Sequence, residues 1–133
     1  MAIDSKYLHS DISNSVLQAF YTVRNGLPSY LTLAAYKQAM TVEMEILGLT
    51  VTCNKSIDIV YKGISVGSLT ADLVVNESLL VKLTCTDVIS EQSDLELKNL
   101  LRFTDYEVGL ILNFAPDGQH KRLVFTNDIK NRN

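Results

Sequence analysis

Thiols are scarce in this chain. Cys53 and Cys85 are the only two, far apart, with neither a CxxC nor the Cys/His spacing that zinc requires. That excludes a zinc staple and a paired redox motif, and both read as free thiols. Runs of basic residues are missing too: none is longer than the pair Lys121–Arg122, and the net charge is −3. Avid binding to a phosphate backbone needs clustered cations, so this balance argues against it without excluding a local basic groove. The opening segment MAIDSKYLHSDIS has no basic start followed by a long apolar run. Neither a signal peptide nor a membrane span is therefore expected, and the expected location is cytoplasmic.

Motifs of several enzyme classes are absent as well. There is no Gly-rich phosphate loop, no GxGxxG and no GxSxG, which leaves nucleotide-dependent and serine-hydrolase chemistry without support. His9 lies in the N-terminal segment and His120 beside a turn, so both read as surface histidines rather than as half of a Cys/His dyad. Asn76-Glu77-Ser78 matches a glycosylation acceptor, but without a secretory signal it reads as a turn.

What is present is a globular composition. Apolar residues make up 47% and charged residues 20% of 133 positions, enough for one domain with a real core. That domain is expected over 1–125, with 126–133 a polar, frayed tail. Ile12, Val16, Phe20 and Val23 form one apolar stripe on a helix over about 11–24, stopped by a left-handed cap at Asn25-Gly26. Pro28 and Ser29 open a second helix running to about Leu47, with Leu33, Tyr36, Met40, Met44 and Leu47 on its stripe and Gly48 as terminator. Lys37, Gln38, Glu43 and Glu45 flank that stripe or face away. The pattern then turns to β-branched residues: Leu49–Cys53, Ile57–Tyr61, a tight turn at Lys62-Gly63 and a return through Ile64–Val66. Ser90 caps a third helix marked by Leu97, Leu100, Leu101 and Thr104 and ending before Asp105. Val108–Phe114 is a strand buried on both faces, Pro116-Asp117-Gly118 a turn and Lys121–Phe125 the closing strand.

The whole is organised around the hairpin Leu69–Val75 and Leu79–Thr84. Each of its strands carries one charge, Asp72 in the first and Lys82 in the second. A buried strand tolerates a charge only with a partner or a task, since desolvating an unpaired ion costs on the order of several kcal/mol. Helix, helix, three strands, helix, strand, strand (ααβββαββ) is an α+β plan with a mixed sheet flanked by helices.

Particular segments narrow that plan. AFYTVRNGL, the helix Ala35-Tyr36-Lys37-Gln38-Ala39-Met40, Ile59–Gly63, Ala71–Val75 and the run Val108–Phe114 resemble the small bacterial GxxExxY proteins, which are assigned to the PD-(D/E)xK, restriction-endonuclease-like superfamily. The resemblance spans nearly the whole chain and implies a restriction-endonuclease-like fold of bacterial or mobile-element origin. In that superfamily an Asp on the first strand of the central hairpin and an ExK on the next hold Mg²⁺ and a water. Residues two apart on a strand share a face, which brings Glu and Lys beside the Asp.

Here Asp72 matches the Asp, but the Glu position is Lys82 and the Lys position Thr84. Tyr36 matches the family's tyrosine, whereas Leu33 and Tyr30 stand for its glutamate and glycine, and a common helix glutamine falls on Glu96. The resemblance therefore implies a vestigial site, made of Asp72, Lys82, Thr84, Glu96 and Tyr36, with no catalytic residue, metal or cofactor. Its Lys82 ammonium is expected near the metal's place, paired with Asp72. The alternative is a migrated nuclease site in which Asp72 and Glu96 share Mg²⁺ or Mn²⁺ and Lys82 serves as the catalytic lysine.

The function expected from these readings is a binding or interaction module. If nucleic acid is bound, Lys62, Lys82, Lys98, Arg102, Lys121 and Arg122 are the candidate cations, with weak, salt-sensitive affinity. Phe20 and Tyr21 on the first helix, with Leu31 and Ala35 off the main stripe of the second, offer an apolar face for a homodimer, or else are buried between sheet and neighbouring helix.

Overall fold

The computed structural model describes residues 8–115 and 118–130. Its elements are α1 (Ser10–Gly26), α2 (Leu33–Ile46), β1 (Val51–Tyr61), β2 (Ile64–Val75), β3 (Leu79–Thr84), α3 (Glu91–Arg102), β4 (Val108–Asn113), β5 (His120–Val124) and a 3₁₀ turn at Asn127–Ile129. The five strands form one sheet in the order β1-β2-β3-β4-β5. Every neighbouring pair is antiparallel except β3 and β4, which run parallel and are joined by the α3 crossover. The expected α+β, restriction-endonuclease-like fold with order ααβββαββ is what the chain adopts.

Helices cover both faces. On one, Val16, Phe20 and Val23 of α1 and Tyr36, Met40 and Met44 of α2 pack on Leu73, Val75, Leu79, Val81, Leu110 and Leu112. On the other, Leu97, Leu100 and Leu101 of α3 cover Val74, Leu80 and Ile111. β4 alternates between these two cores and is buried throughout, as its unbroken apolar run requires. Gly109 lets α3 lie close, because a Cβ there would meet the Leu97 side chain at 2.9 Å.

Several boundaries differ from the sequence expectations. α2 starts after Thr32, whose hydroxyl accepts the Ala35 N–H at 3.2 Å, rather than at Pro28. The cap lies four residues later because the Tyr36 hydroxyl donates to the Pro28 carbonyl (2.6 Å) and accepts the Leu31 N–H (3.2 Å), holding that segment as a loop. The stripe of α2 narrows to Tyr36, Met40 and Met44, with Leu33 and Leu47 exposed. Gly26 stays inside α1 and the chain leaves through an extended Leu27, so no left-handed cap forms there. The two short strands expected before Lys62 are one strand, β1, and Ile64–Val66 is continuous with the hairpin strand, making β2 twelve residues long.

Part of the expected tail docks on the body of the molecule, the Lys130 ammonium donating to the carbonyls of Thr104 and Tyr106 at 2.9 and 2.6 Å. Residues 131–133 lie outside the described residues, as do Pro116 and Asp117 of the expected turn. Gly118 has φ +57° and its N–H bonds to the Ala115 carbonyl at 2.8 Å. Among the described residues no helix is long and apolar enough to cross a membrane.

Candidate functional site at the fork between β2 and β3

The hairpin expected from the sequence forms, with a turn at Asn76 and Glu77, both at positive φ. Its ladder is short: Val75 faces Leu79, Val74 faces Leu80, Leu73 faces Val81, and beyond that the strands part. Asp72 is the first residue past the last pair. A strand that loses its neighbour leaves a buried N–H without an acceptor, and the Asp72 carboxylate supplies one, Oδ2 accepting from the Leu83 N–H at 2.9 Å.

On the other side of Asp72 the β1–β2 ladder skips one pair. Asn54, which would face Asp72, takes a left-handed conformation (φ 53°) that asparagine tolerates better than most residues. Its Oδ1 accepts from the Lys37 ammonium at 2.6 Å, and that ammonium lies 3.9 Å from Asp72 Oδ1. Asp72 is thus held from two sides, by the backbone of β3 and by a lysine of α2.

Lys82 does not pair with Asp72. It turns to the α3 side of the sheet, where its Nζ lies 2.7 Å from Glu96 Oε2, while Gln92 donates to Glu96 Oε1 at 3.0 Å. The two groups meet different partners because Asp72 bends toward the Leu83 amide and Lys82 lies among the residues that α3 covers. The hydrogen bond from Lys82, and then that from Gln92, hold the Glu96 carboxyl below its ordinary value.

Thr84, two residues on, is buried and donates to Asn113 Oδ1 at 3.2 Å. Asn113 is wholly buried; it also accepts the Thr86 N–H (2.9 Å) and donates to the Thr86 carbonyl (2.7 Å), fixing the exit from β3. Tyr36 is a core aromatic stacked on Phe114, with centroids 4.3 Å apart and planes 6° from parallel. Both polar partners given above for its hydroxyl belong to the α1–α2 connection.

Of the five expected site residues, then, Lys82 and Glu96 form a pair, Asp72 is engaged elsewhere, and Thr84 and Tyr36 are bound into the framework. Lys37, Asn54 and Asn113 were not singled out by the sequence reading. Only their positions beside Tyr36, inside a β-branched stretch and at the end of the buried run hint at them.

Asp72 and Glu96 do not share a site: Asp72 lies beside Lys37 of α2 and Glu96 beside Lys82 under α3, on opposite faces of the sheet. A divalent cation needs several converging free oxygens, and each carboxylate here is alone beside an ammonium, so these residues do not fit Mg²⁺. Among the described residues no three His, Cys, Asp or Glu side chains converge where a metal could be held.

The candidate cations are similarly engaged. Lys98 and Lys121 clasp Asp94 at 3.0 and 2.8 Å, and their hydrogen bonds, that of Lys121 first, lower the Asp94 carboxyl from its ordinary value. Arg122 donates to the Leu8 carbonyl at 2.6 Å, Arg102 lies 5.6 Å from the Phe125 ring and Lys62 5.4 Å from the Tyr61 ring. On the helix pair, Phe20 is wholly buried with its edge against Phe114 (4.9 Å), which removes it from the expected dimer face, while Tyr21 is 42% exposed.

Comparison with known proteins agrees with this frame. A family model described as the PD-(D/E)XK nuclease superfamily matches residues 10–123. Among solved structures, the chain is similar to an alkaline exonuclease from Laribacter hongkongensis, with a TM-score of 0.52 and 12% identity, over 87% of this chain and 70% of that one. No curated protein matches the sequence.

Proposed function

The chain belongs to the PD-(D/E)XK nuclease superfamily, and within it we propose a member of the GxxExxY branch that has lost catalysis and acts as a binding or interaction protein in the cytoplasm. The observation that carries this reading is the pairing of both acidic side chains at the fork with lysines, Asp72 with Lys37 and Glu96 with Lys82. A metal-dependent nuclease keeps its carboxylates open to the cation. Here the positive charges are built into the chain, no metal or cofactor is needed, and Lys82 stands where the family's glutamate would coordinate. Nucleic acid, if bound, is bound weakly, because the candidate cations already have internal partners.

Titration calorimetry of Mn²⁺ into the wild type, Asp72→Ala and Glu96→Ala tests the proposal. No heat of binding is expected in any of the three. Binding by the wild type that both substitutions abolish would replace this reading by the migrated site of Asp72, Glu96 and Lys82. The double substitution Lys82→Glu with Thr84→Lys, which rewrites the superfamily's motif on the same strand, is expected to gain metal binding that depends on Asp72.

A further inference from the structure

β2 has two neighbours only over Leu73–Val75; from Ile64 to Thr70 it pairs with β1 alone, and the two strands leave the sheet as a ribbon. The ribbon has an apolar side. Ile57 and Leu69 at its base join the core beneath α3, Ile59 leans over Gly67, where a Cβ would sit 3.8 Å from its Cδ1, and Tyr61 faces Ile64 at the tip. α3 covers only the base: Ile57 is 8% exposed, against 58% for Tyr61 and 67% for Ile64. β1 is also the margin of the sheet, and among the described residues no strand lies beside its outer edge. A two-stranded ribbon is marginal in water, and a long regular apolar edge invites pairing.

We propose that a second copy of this chain takes the open edge of the ribbon, the two β1 edges pairing antiparallel about a two-fold axis and extending the sheet. This rests on the reading above that the protein works through partners, and it names the surface. An axis normal to the sheet keeps opposed residues on one face and passes midway between the two copies of one β1 residue. Charge selects which. An axis at Asp58 sets carboxylate against carboxylate, and one at Ile59 sets Asp58 against Val60. With the axis at Val60, that residue, 48% exposed in the single chain, faces itself, Ile59 faces Tyr61 twice, and Asp58 comes opposite the first turn residue, Lys62, of the other copy twice over. The ladder of this edge ends at Tyr61, because Lys62 is left-handed (φ 51°) in the turn, so its long side chain and not a ladder position is what reaches Asp58. The bulge near Ile59 places its extra residue, Val66, on β2, and the left-handed Asn54 falls outside the paired stretch.

The test is light scattering after size exclusion on the full chain over a concentration series, with a charge exchange. The wild type is expected to be a dimer that dissociates on dilution. Asp58→Lys, which opposes Lys62 with a like charge at two places, is expected to weaken it about tenfold or more. Adding Lys62→Asp to Asp58→Lys is expected to restore it, a recovery that a mere folding defect would not give. A wild type that stays monomeric at high concentration overturns the proposal, as does a dimer indifferent to both exchanges, which would have to use another surface such as the helix pair. Metal titration is independent of these outcomes: binding of Mn²⁺ would remove the inactive-frame reading alone, and a monomer the edge pairing alone.

Discussion

Two ion pairs flank the fork, and they are not equivalent. Asp72 is tied to the backbone of β3 through the Leu83 amide as well as to Lys37, and its side chain is 26% exposed. Glu96 is 45% exposed and bonds only side chains, Lys82 and Gln92. One pair belongs to the architecture of the sheet; the other is an attachment of a helix to a strand. Asp72 thus has a structural task in the sheet that does not call for a cation.

Substitutions sharpen that difference. Asp72→Ala should have the largest effect, since it leaves the Leu83 N–H without its acceptor and Lys37 without its counter-charge; a loss of about 2 kcal/mol in chemical denaturation is expected. Asp72→Asn keeps an oxygen for that amide and should cost roughly half as much. A loss as large as that of alanine would make the charge, and not the hydrogen bond, the reason for the residue. Lys82→Met should change stability by no more than about 0.5 kcal/mol, because solvent screens the half-exposed Glu96. A loss matching that of Asp72→Ala would erase the distinction between the pairs.

The smallest effect is one of pH. The folded Glu96 carboxyl lies below its ordinary 4.5, so its pair contributes stability above that value and loses it as pH falls through the lower, folded one. Titration followed by NMR should show the Glu96 midpoint rising toward its ordinary value in Lys82→Met. An unchanged midpoint would remove Lys82 as its cause.

Much of this was legible in the sequence, and what was not has a common origin. The order of elements, the Ser90 cap, the buried β4 and the central hairpin all follow from patterns local to a few residues. Asn54-Lys55-Ser56 looks like a break between strands, yet a single left-handed residue lets β1 continue through it. Gly67 looks like a strand boundary, yet it lies within β2 under Ile59. The site was half legible. Asp72 and Lys82 are conspicuous as charges in apolar strands, and their adjacency across the hairpin suggested a pair. The actual partners, Lys37 and Glu96, come from helices on opposite faces of the sheet, and no local spacing encodes which helix lysine reaches which strand carboxylate.

The fork also divides the chain in time. On its outer side β1 and β2 are sequence neighbours joined by the Lys62-Gly63 turn, a local contact of the kind that forms in about 1–10 μs. On its inner side β3 must find β4 across the whole α3 crossover, Lys82 facing Ile111, and such non-local parallel pairing is slow. The amide of Leu83, bonded to a side chain of the early hairpin while its own strand waits for the late one, lies on the seam between them. Its protection from hydrogen exchange during refolding would report the moment at which the ribbon is joined to the rest of the molecule.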